Sequence, residues 1–141
     1  MKVREAMTGR VIWVSPEESV EVAARTLALH NIGALPVCVG GKLCGMVTDR
    51  DLVTRCVAAN RSAGTTKVRD VMTRQVISVR PDMELDEAAG LMGRQQVRRL
   101  PVTENGDICG MISLADLASC GSHGAAALRS ISDNICGGKA W

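Results

Sequence analysis

Phenylalanine and tyrosine are absent from the 141 residues, and Trp13 and Trp141 are the only aromatics. Rows of aromatic side chains on which bases could stack are thereby excluded. No apolar run approaches the roughly 18 residues that cross a bilayer, so we expect no membrane segment. A surplus of one charge is missing too. Seventeen basic against fifteen acidic residues leave a net charge of +2, far from the basic excess of a nucleic-acid binder. Histidine is scarce, with His30 and His123 alone. No Ser–His–Asp order, paired metal-ligand spacing or glycine-rich Walker loop occurs. We therefore assign no catalytic residue, no metal ligand and no required cofactor, and expect no enzyme. Cys120-x-x-His123 has no second ligand pair to make a zinc site, and His30 suits a helix end. The N-terminus carries Glu5 and no apolar stretch of the signal-peptide kind. The six cysteines form no C-x-x-C pair, and most sit among Val, Leu, Ile and Met. We expect reduced, mostly buried thiols in a cytoplasmic protein.

What is present is the composition of a folded domain: 46% hydrophobic and 23% charged residues in one domain's length. The chain also repeats itself. VREAMTGRVIWVSP at residues 3–16 returns as VRDVMTRQVISVRP at 68–81, LPV at 35–37 returns at 100–102, and CGMVTDRDL at 44–52 returns as CGMISLADL at 109–117. All matches share an offset of 65, and residues 3–52 carry 19 identities over 50 positions with 68–117. Chance would supply roughly three or four at ordinary composition. The chain divides into residues 1–64 (first repeat with linker), 65–120 (second repeat) and 121–141 (a tail). One such unit buries too small a fraction of its surface to be stable alone, so the copies should share a core.

Both copies lead to the same elements. Val11–Val14 is a β-branched and aromatic run stopped by Ser15-Pro16, hence a strand. Ser19 is the N-cap of a helix whose apolar face is Val20, Ala23, Ala24 and Leu27, matched by Leu85, Ala88, Ala89 and Met92. Two runs around Gly40-Gly41 form a hairpin, and the second copy has Asn105-Gly106, the dipeptide of a tight I′ turn. A second helix from Thr48 should turn Leu52, Val53, Cys56 and Val57 inward. Residues 58–67 are the linker. In the tail Ala125, Leu128, Ile131 and Ile135 could line a short helix before Gly137-Gly138.

The strongest chemical signal is Gly45-Met46-Val47-Thr48-x-x-Asp51, echoed by Gly110-Met111-Ile112-Ser113-x-x-Asp116. A strand ends, a hydroxyl follows, and an acid stands one helical turn on. A purely structural role fits: hydroxyl and acid satisfy orphan N–H groups as a capping box. A binding role fits as well. A hydroxyl at a helix start attracts phosphate, and a carboxylate can accept two hydrogen bonds from a vicinal diol such as ribose.

This pair of motifs, with the LPV strands and the doubled VR-x-x-MT start, resembles tandem cystathionine β-synthase (CBS) domains, the Bateman module, over residues 3–117. The likeness is to the small stand-alone bacterial proteins of that family. It implies an α+β fold of two β-α-β-β-α repeats packed through their sheets about a pseudo-twofold axis. It also implies two clefts between the repeats that bind AMP, ADP, ATP or S-adenosylmethionine, and pairing into a disc-shaped homodimer. Asp51 and Asp116 would then hold ribose hydroxyls, Thr48 and Ser113 phosphate, and the strands around Ile12 and Ile77 adenine. Arg98 and Arg99 precede Pro101 where the family carries phosphate-binding cations. The first copy has Gly33 and Ala34 there, so the two sites should be unequal.

The expectation for function is a regulatory, energy-sensing module that binds adenine nucleotides and passes their occupancy to a protein partner by differential affinity. An S-adenosylmethionine sensor is the nearest alternative. A structural dimer without ligand, or a redox sensor using Cys120 or Cys136, is the other. We argue the homodimer from the apolar helical faces, Leu27 and Met92 among them, with Leu128 and Ile131 of the tail adding to the contact.

Overall fold

The computed structural model describes residues 1–120. The expected tail helix, Cys136 and His123 lie outside the described residues. In chain order the elements are α1 (Val3–Ala6), α2 (Val20–His30), β1 (Ala34–Val39), β2 (Lys42–Thr48), α3 (Asp49–Leu52) running into a π-helical turn (Val53–Val57), a 3₁₀ turn (Val68–Asp70), α4 (Leu85–Gln95), β3 (Arg99–Glu104), β4 (Asp107–Ser113) and α5 (Leu114–Ser119).

Two compact units emerge, and they do not follow the chain's order. One holds Met1–Arg10, Ile77–Asn105 and the chain from Cys109; the other holds Val11–Val76 with Gly106–Ile108. The boundary at 64/65 divides the sequence repeat, whereas these units divide the packing. Each copy's V-R-x-x-M-T segment packs in the unit built around the other copy's hairpin.

In the unit around β1 and β2, Val68, Val71 and Met72 join Val20, Ala23, Leu27, Leu35, Val37, Val47, Leu52 and Cys56 in one buried cluster. The N–H of Val68 donates to the Glu18 carbonyl (2.8 Å) and that of Arg69 to the Pro16 carbonyl (3.0 Å). Thr73 and Met46 exchange both backbone hydrogen bonds, at 2.8 and 2.9 Å. The close approach explains Gly45. A Cβ there would stand 2.8 Å from the Thr73 carbonyl oxygen and 2.9 Å from Met72 Sδ.

The other unit repeats this with the N-terminal segment. Val3 lies in the cluster of Val79, Leu85, Ala88, Met92, Leu100, Val102, Ile112 and Leu117. Val3 and Arg4 donate to the Met83 and Pro81 carbonyls, and Thr8 exchanges both bonds with Met111. Gly110 takes the place of Gly45, with Met7 Sδ 2.6 Å and the Thr8 carbonyl oxygen 3.1 Å from an added Cβ. The single shared core of the sequence-based expectation is thus two clusters, each completed by a segment of the other copy.

Local sequence accounts for the elements. Both hairpin turns carry the paired positive φ of a I′ turn: Gly40 and Gly41 at 57° and 85°, Asn105 and Gly106 at 55° and 84°. The β1–β2 register sets Leu35 against Val47 and Val37 against Gly45, with a bulge between Val37 and Cys38. Ser19 caps α2 by accepting the Val22 N–H at 3.2 Å. The first expected strand of each copy pairs through one residue only, Val14 with Val37 and Val79 with Val102.

Three expectations about faces need correction. Ala24 is exposed, whereas its counterpart Ala89 is buried. Leu52 and Cys56 point inward, but Val53 and Val57 are 57% and 68% exposed. Residues four apart share a helical face, and the next residue lies about 100° around it. Leu27 and Met92, offered as a dimer surface, are buried in the two clusters. The large apolar side chains left outside on the first copy's helices are Val22, Leu29, Val53 and Val57.

Candidate functional site

Both hydroxyl–acid motifs fold as complete capping boxes. Thr48 N–H donates to Asp51 Oδ2 at 2.9 Å, and Asp51 N–H returns to Thr48 Oγ1 at 3.1 Å. The Ser113–Asp116 pair does the same at 2.8 and 3.2 Å. The capping role is therefore real, and it uses one oxygen of each carboxylate. A carboxylate can accept about four hydrogen bonds, so capacity is left for a further donor. Asp116 Oδ1 has no hydrogen-bond partner among the described residues. The cap thus orients each acid and leaves its second oxygen available.

The segment before each proline lies beside its box. The Asp49 N–H donates to the Gly33 carbonyl (3.0 Å), and the Leu114 N–H donates to the Arg98 carbonyl (2.8 Å). Arg98 is therefore one backbone hydrogen bond from the helix that carries Asp116, and Arg99 opens β3 as the next residue. Arg98 is exposed and Arg99 half-buried. Neither guanidinium makes an ion pair or hydrogen bond among the described residues. A side-chain cation without an internal partner is available to an anionic ligand. The first copy has only the Gly33 carbonyl and the Ala34 methyl at these places.

Ile12 and Ile77 match in sequence but not in packing. Ile12 is half-buried against the cluster of its unit, whereas Ile77 is exposed. Both precede, by two residues, the valine that bridges to the first strand of its copy's hairpin. Arg50 is exposed on α3, and no hydrogen bond or ion pair of its side chain links it to another described residue.

Three of the described thiols, Cys38, Cys44 and Cys109, are poorly suited to redox chemistry. Burial pushes the Cys38 thiol up to about 11, with Cys44 adding a smaller upward effect. Burial also raises Cys44 and Cys109. Their Sγ atoms donate to the Val37 and Val102 carbonyls at 3.2 and 3.4 Å. A raised pKa withholds the nucleophilic thiolate. Among the described residues all cysteines are free, and no group of three His, Cys, Asp or Glu could hold a metal. No helix among them is long and apolar enough to cross a membrane.

One residue escaped the sequence reasoning. Arg55, four residues after Asp51, sends Nη1 to the Val71 carbonyl (3.0 Å) and to Thr73 Oγ1 (3.3 Å), and stands 3.7 Å from Asp51 Oδ1. The Asp–x–x–x–Arg spacing was its only signal, and that spacing also describes an ordinary solvated helix pair. Position 120, its counterpart, is Cys.

Comparison with known proteins agrees with this architecture. The CBS-domain family profile matches residues 3–58 and again 68–122. The chain is 41% identical over 116 residues to the CBS domain-containing protein YhcV of Bacillus subtilis, covering 82% of each. It superposes on the crystal structure of Hypoxic Response Protein I with two coordinated zinc ions at TM-score 0.78 and 32% identity, over 84% of this chain and 98% of that one. It also superposes on the CBS domain pair of protein MJ0100, solved in complex with 5′-methylthioadenosine and S-adenosyl-L-methionine. There the TM-score is 0.76 and the identity 26%, over 85% and 94% of the two chains. Two family matches that fill most of the chain, a relative of similar length made of the same pair, and two folded units with matching hairpins and caps give one conclusion. The chain belongs to the CBS-domain family and is a tandem CBS pair, a regulatory module.

Proposed function

We propose that this CBS pair is a sensor of adenosine nucleotides, with one binding group in each unit. Asp51 and Asp116 accept the ribose hydroxyls, Thr48 and Ser113 contact phosphate, and Ile12 and Ile77 flank the adenine. Arg98 and Arg99 add phosphate contacts in the second repeat alone. The observation that carries this is the state of the two carboxylates: each is oriented by its own cap through Oδ2, so Oδ1 is presented in a fixed direction at no cost to the fold. The adenosine moiety is supported by the methylthioadenosine and S-adenosylmethionine in the related CBS pair.

Charge selects among adenosine ligands. S-adenosylmethionine brings a sulfonium cation, which two unpartnered arginines repel. AMP, ADP and ATP bring the anion that guanidinium groups bind in bidentate fashion. The second repeat therefore favours a nucleotide phosphate. Occupancy acts by differential affinity: the ligand favours the arrangement it binds better, and a protein partner responds to that arrangement.

The pair acts as a homodimer in this proposal. The first copy's helices expose Val22, Leu29, Val53 and Val57, where the second copy has Glu87, Arg94 and Ala118 opposite the first three. An uncharged apolar surface can pair with itself across a twofold axis without like-charge conflict. Sedimentation showing a dimer that Val53→Glu splits supports this; a monomer at micromolar concentration contradicts it.

The test of ligand class is a thermal-shift series with AMP, ADP, ATP, NADH and S-adenosylmethionine. A ligand that binds only the folded state adds about 2.7 kcal/mol at a hundredfold excess over its Kd. The phosphate-bearing adenosine ligands should raise the melting temperature by several degrees, and S-adenosylmethionine less. No shift with any ligand removes the proposal.

A further inference from the structure

Asp51 and Arg55 face each other without closing. Their nearest atoms, Oδ1 and Nη1, are 3.7 Å apart, beyond the about 2.7–3.2 Å of a formed N–H···O bond. Each is held in place by something else. The Thr48 N–H fixes the carboxylate through Oδ2. The Val71 carbonyl and Thr73 Oγ1 fix the guanidinium through Nη1. The Nε and Nη2 groups, on the same rigid plane, have no partner among the described residues. The result is a pure acceptor and a pure donor separated by a gap. The acid's side chain is only 14% exposed, and the arginine's is 48%.

A group that satisfies both must donate to Asp51 and accept from Arg55 at once. A hydroxyl does this; an ether or a protonated amine does only half of it. Resting on the adenosine proposal above, we propose that Arg55 is a second ribose contact of the first repeat: a ribose hydroxyl donates to Asp51 Oδ1 and accepts from the Arg55 guanidinium. Arg55 makes the first repeat select for the ribose diol. The second repeat, with Cys120 at the matching position, has no such donor and selects mainly by phosphate through Arg98 and Arg99. The two binding groups of one chain therefore read different parts of the same ligand.

The test uses the full chain carrying Asp116→Asn, which weakens the second group and leaves an acceptor for the Ser113 N–H. Calorimetry compares AMP with 2′-deoxy-AMP and 3′-deoxy-AMP. A charge-assisted hydrogen bond corresponds to roughly a ten- to hundredfold change in affinity. AMP should exceed at least one deoxy analogue by that factor. Arg55→Met should lower AMP affinity and shrink the ratio several-fold without abolishing it, because Asp51 still accepts from the hydroxyl, while Arg55→Lys, which keeps a cationic donor, shrinks it less. The ribose-to-deoxyribose ratio separates contact from mere support, because a loss of local packing weakens all three ligands alike. An unchanged ratio in a folded Arg55→Met variant overturns the Arg55 contact and leaves adenosine binding standing. Absence of binding by all three ligands to the unsubstituted chain overturns the adenosine proposal and this one with it.

Discussion

The unit around β1–β2 and the unit around β3–β4 are the same machine with different exposed parts. They share what touches the interior: the capping boxes, the I′ turns, the exchanged V-R-x-x-M-T segments and the glycines they press on. They differ at a few positions where one copy has a small or apolar side chain and the other a charged one, or the reverse. Gly33 and Ala34 stand against Arg98 and Arg99, Arg55 against Cys120, Val22 and Leu29 against Glu87 and Arg94. The comparison teaches that the fold tolerates a change of size and charge at these positions because the buried residues of both clusters are others. A duplicated unit can then specialise each copy without losing the fold.

The glycine contact gives the largest break in that symmetry. Gly45 would meet backbone, the Thr73 carbonyl oxygen at 2.8 Å, whereas the nearest atom to a Cβ at Gly110 is the Sδ of a flexible methionine. Overpacking costs about 1–3 kcal/mol. Gly45→Ala should sit at the upper end and Gly110→Ala at the lower. Urea unfolding of both variants checks this, and equal losses would show that the carbonyl yields as readily as the sulfur.

The next difference is in pH. Cys38 lies in the first hairpin, and its counterpart is Thr103, whose Oγ1 hydrogen-bonds Ser78 Oγ at 3.1 Å. Burial raises the Cys38 pKa in the folded state from the ordinary 9.0 to about 11. The folded state then holds its proton where the unfolded state has lost it. The stability from this group is fully present below pH 9 and is lost as pH rises through about 11. Two units correspond to about 2.7 kcal/mol at most. Cys38→Ala should remove most of the alkaline loss, read by urea unfolding of parent and variant as pH rises from neutral, and leave the smaller losses from Cys44 and Cys109; an undiminished loss would contradict this.

A smaller effect sharpens the exchange of segments. Val3→Ala removes two methyl groups from a fully buried site, about 1–2 kcal/mol. The loss should appear as faster exchange around Val102, in the unit that Val3 packs in, and not around Val37. Val68→Ala should give the mirror result. The reverse assignment would contradict the packing described here.

Much of this was legible in the residues, because the interior follows short-range rules. The 65-residue offset, the Asn105-Gly106 turn, the Ser19 cap and the Thr48–Asp51 box each rest on chemistry confined to a few neighbours. The exchange of leading segments was not legible. Val3 and Val68 have identical apolar spacing, so either core could accept either segment, and the choice is made by the chain's path. The outward turn of Val53 and Val57 was not legible because apolar residues at 52, 53, 56 and 57 look alike in sequence, while only Leu52 and Cys56 face the cluster and the next pair lies about 100° around the helix. Arg55 was hidden by its own commonness, since its role depends on Val71 and Thr73, which are distant in sequence.

The most direct test is calorimetric titration of the full chain with AMP, alongside Asp51→Asn, Asp116→Asn and the Arg98→Gln/Arg99→Gln double variant. The account predicts two unequal sites, each acid variant weakening one of them about ten- to hundredfold. The double arginine variant should weaken AMP at the second site and leave adenosine nearly unchanged. Titrations that show no binding to the unsubstituted chain, with the acid variants altering only ligand-free stability, would contradict it and leave Asp51 and Asp116 as helix caps alone.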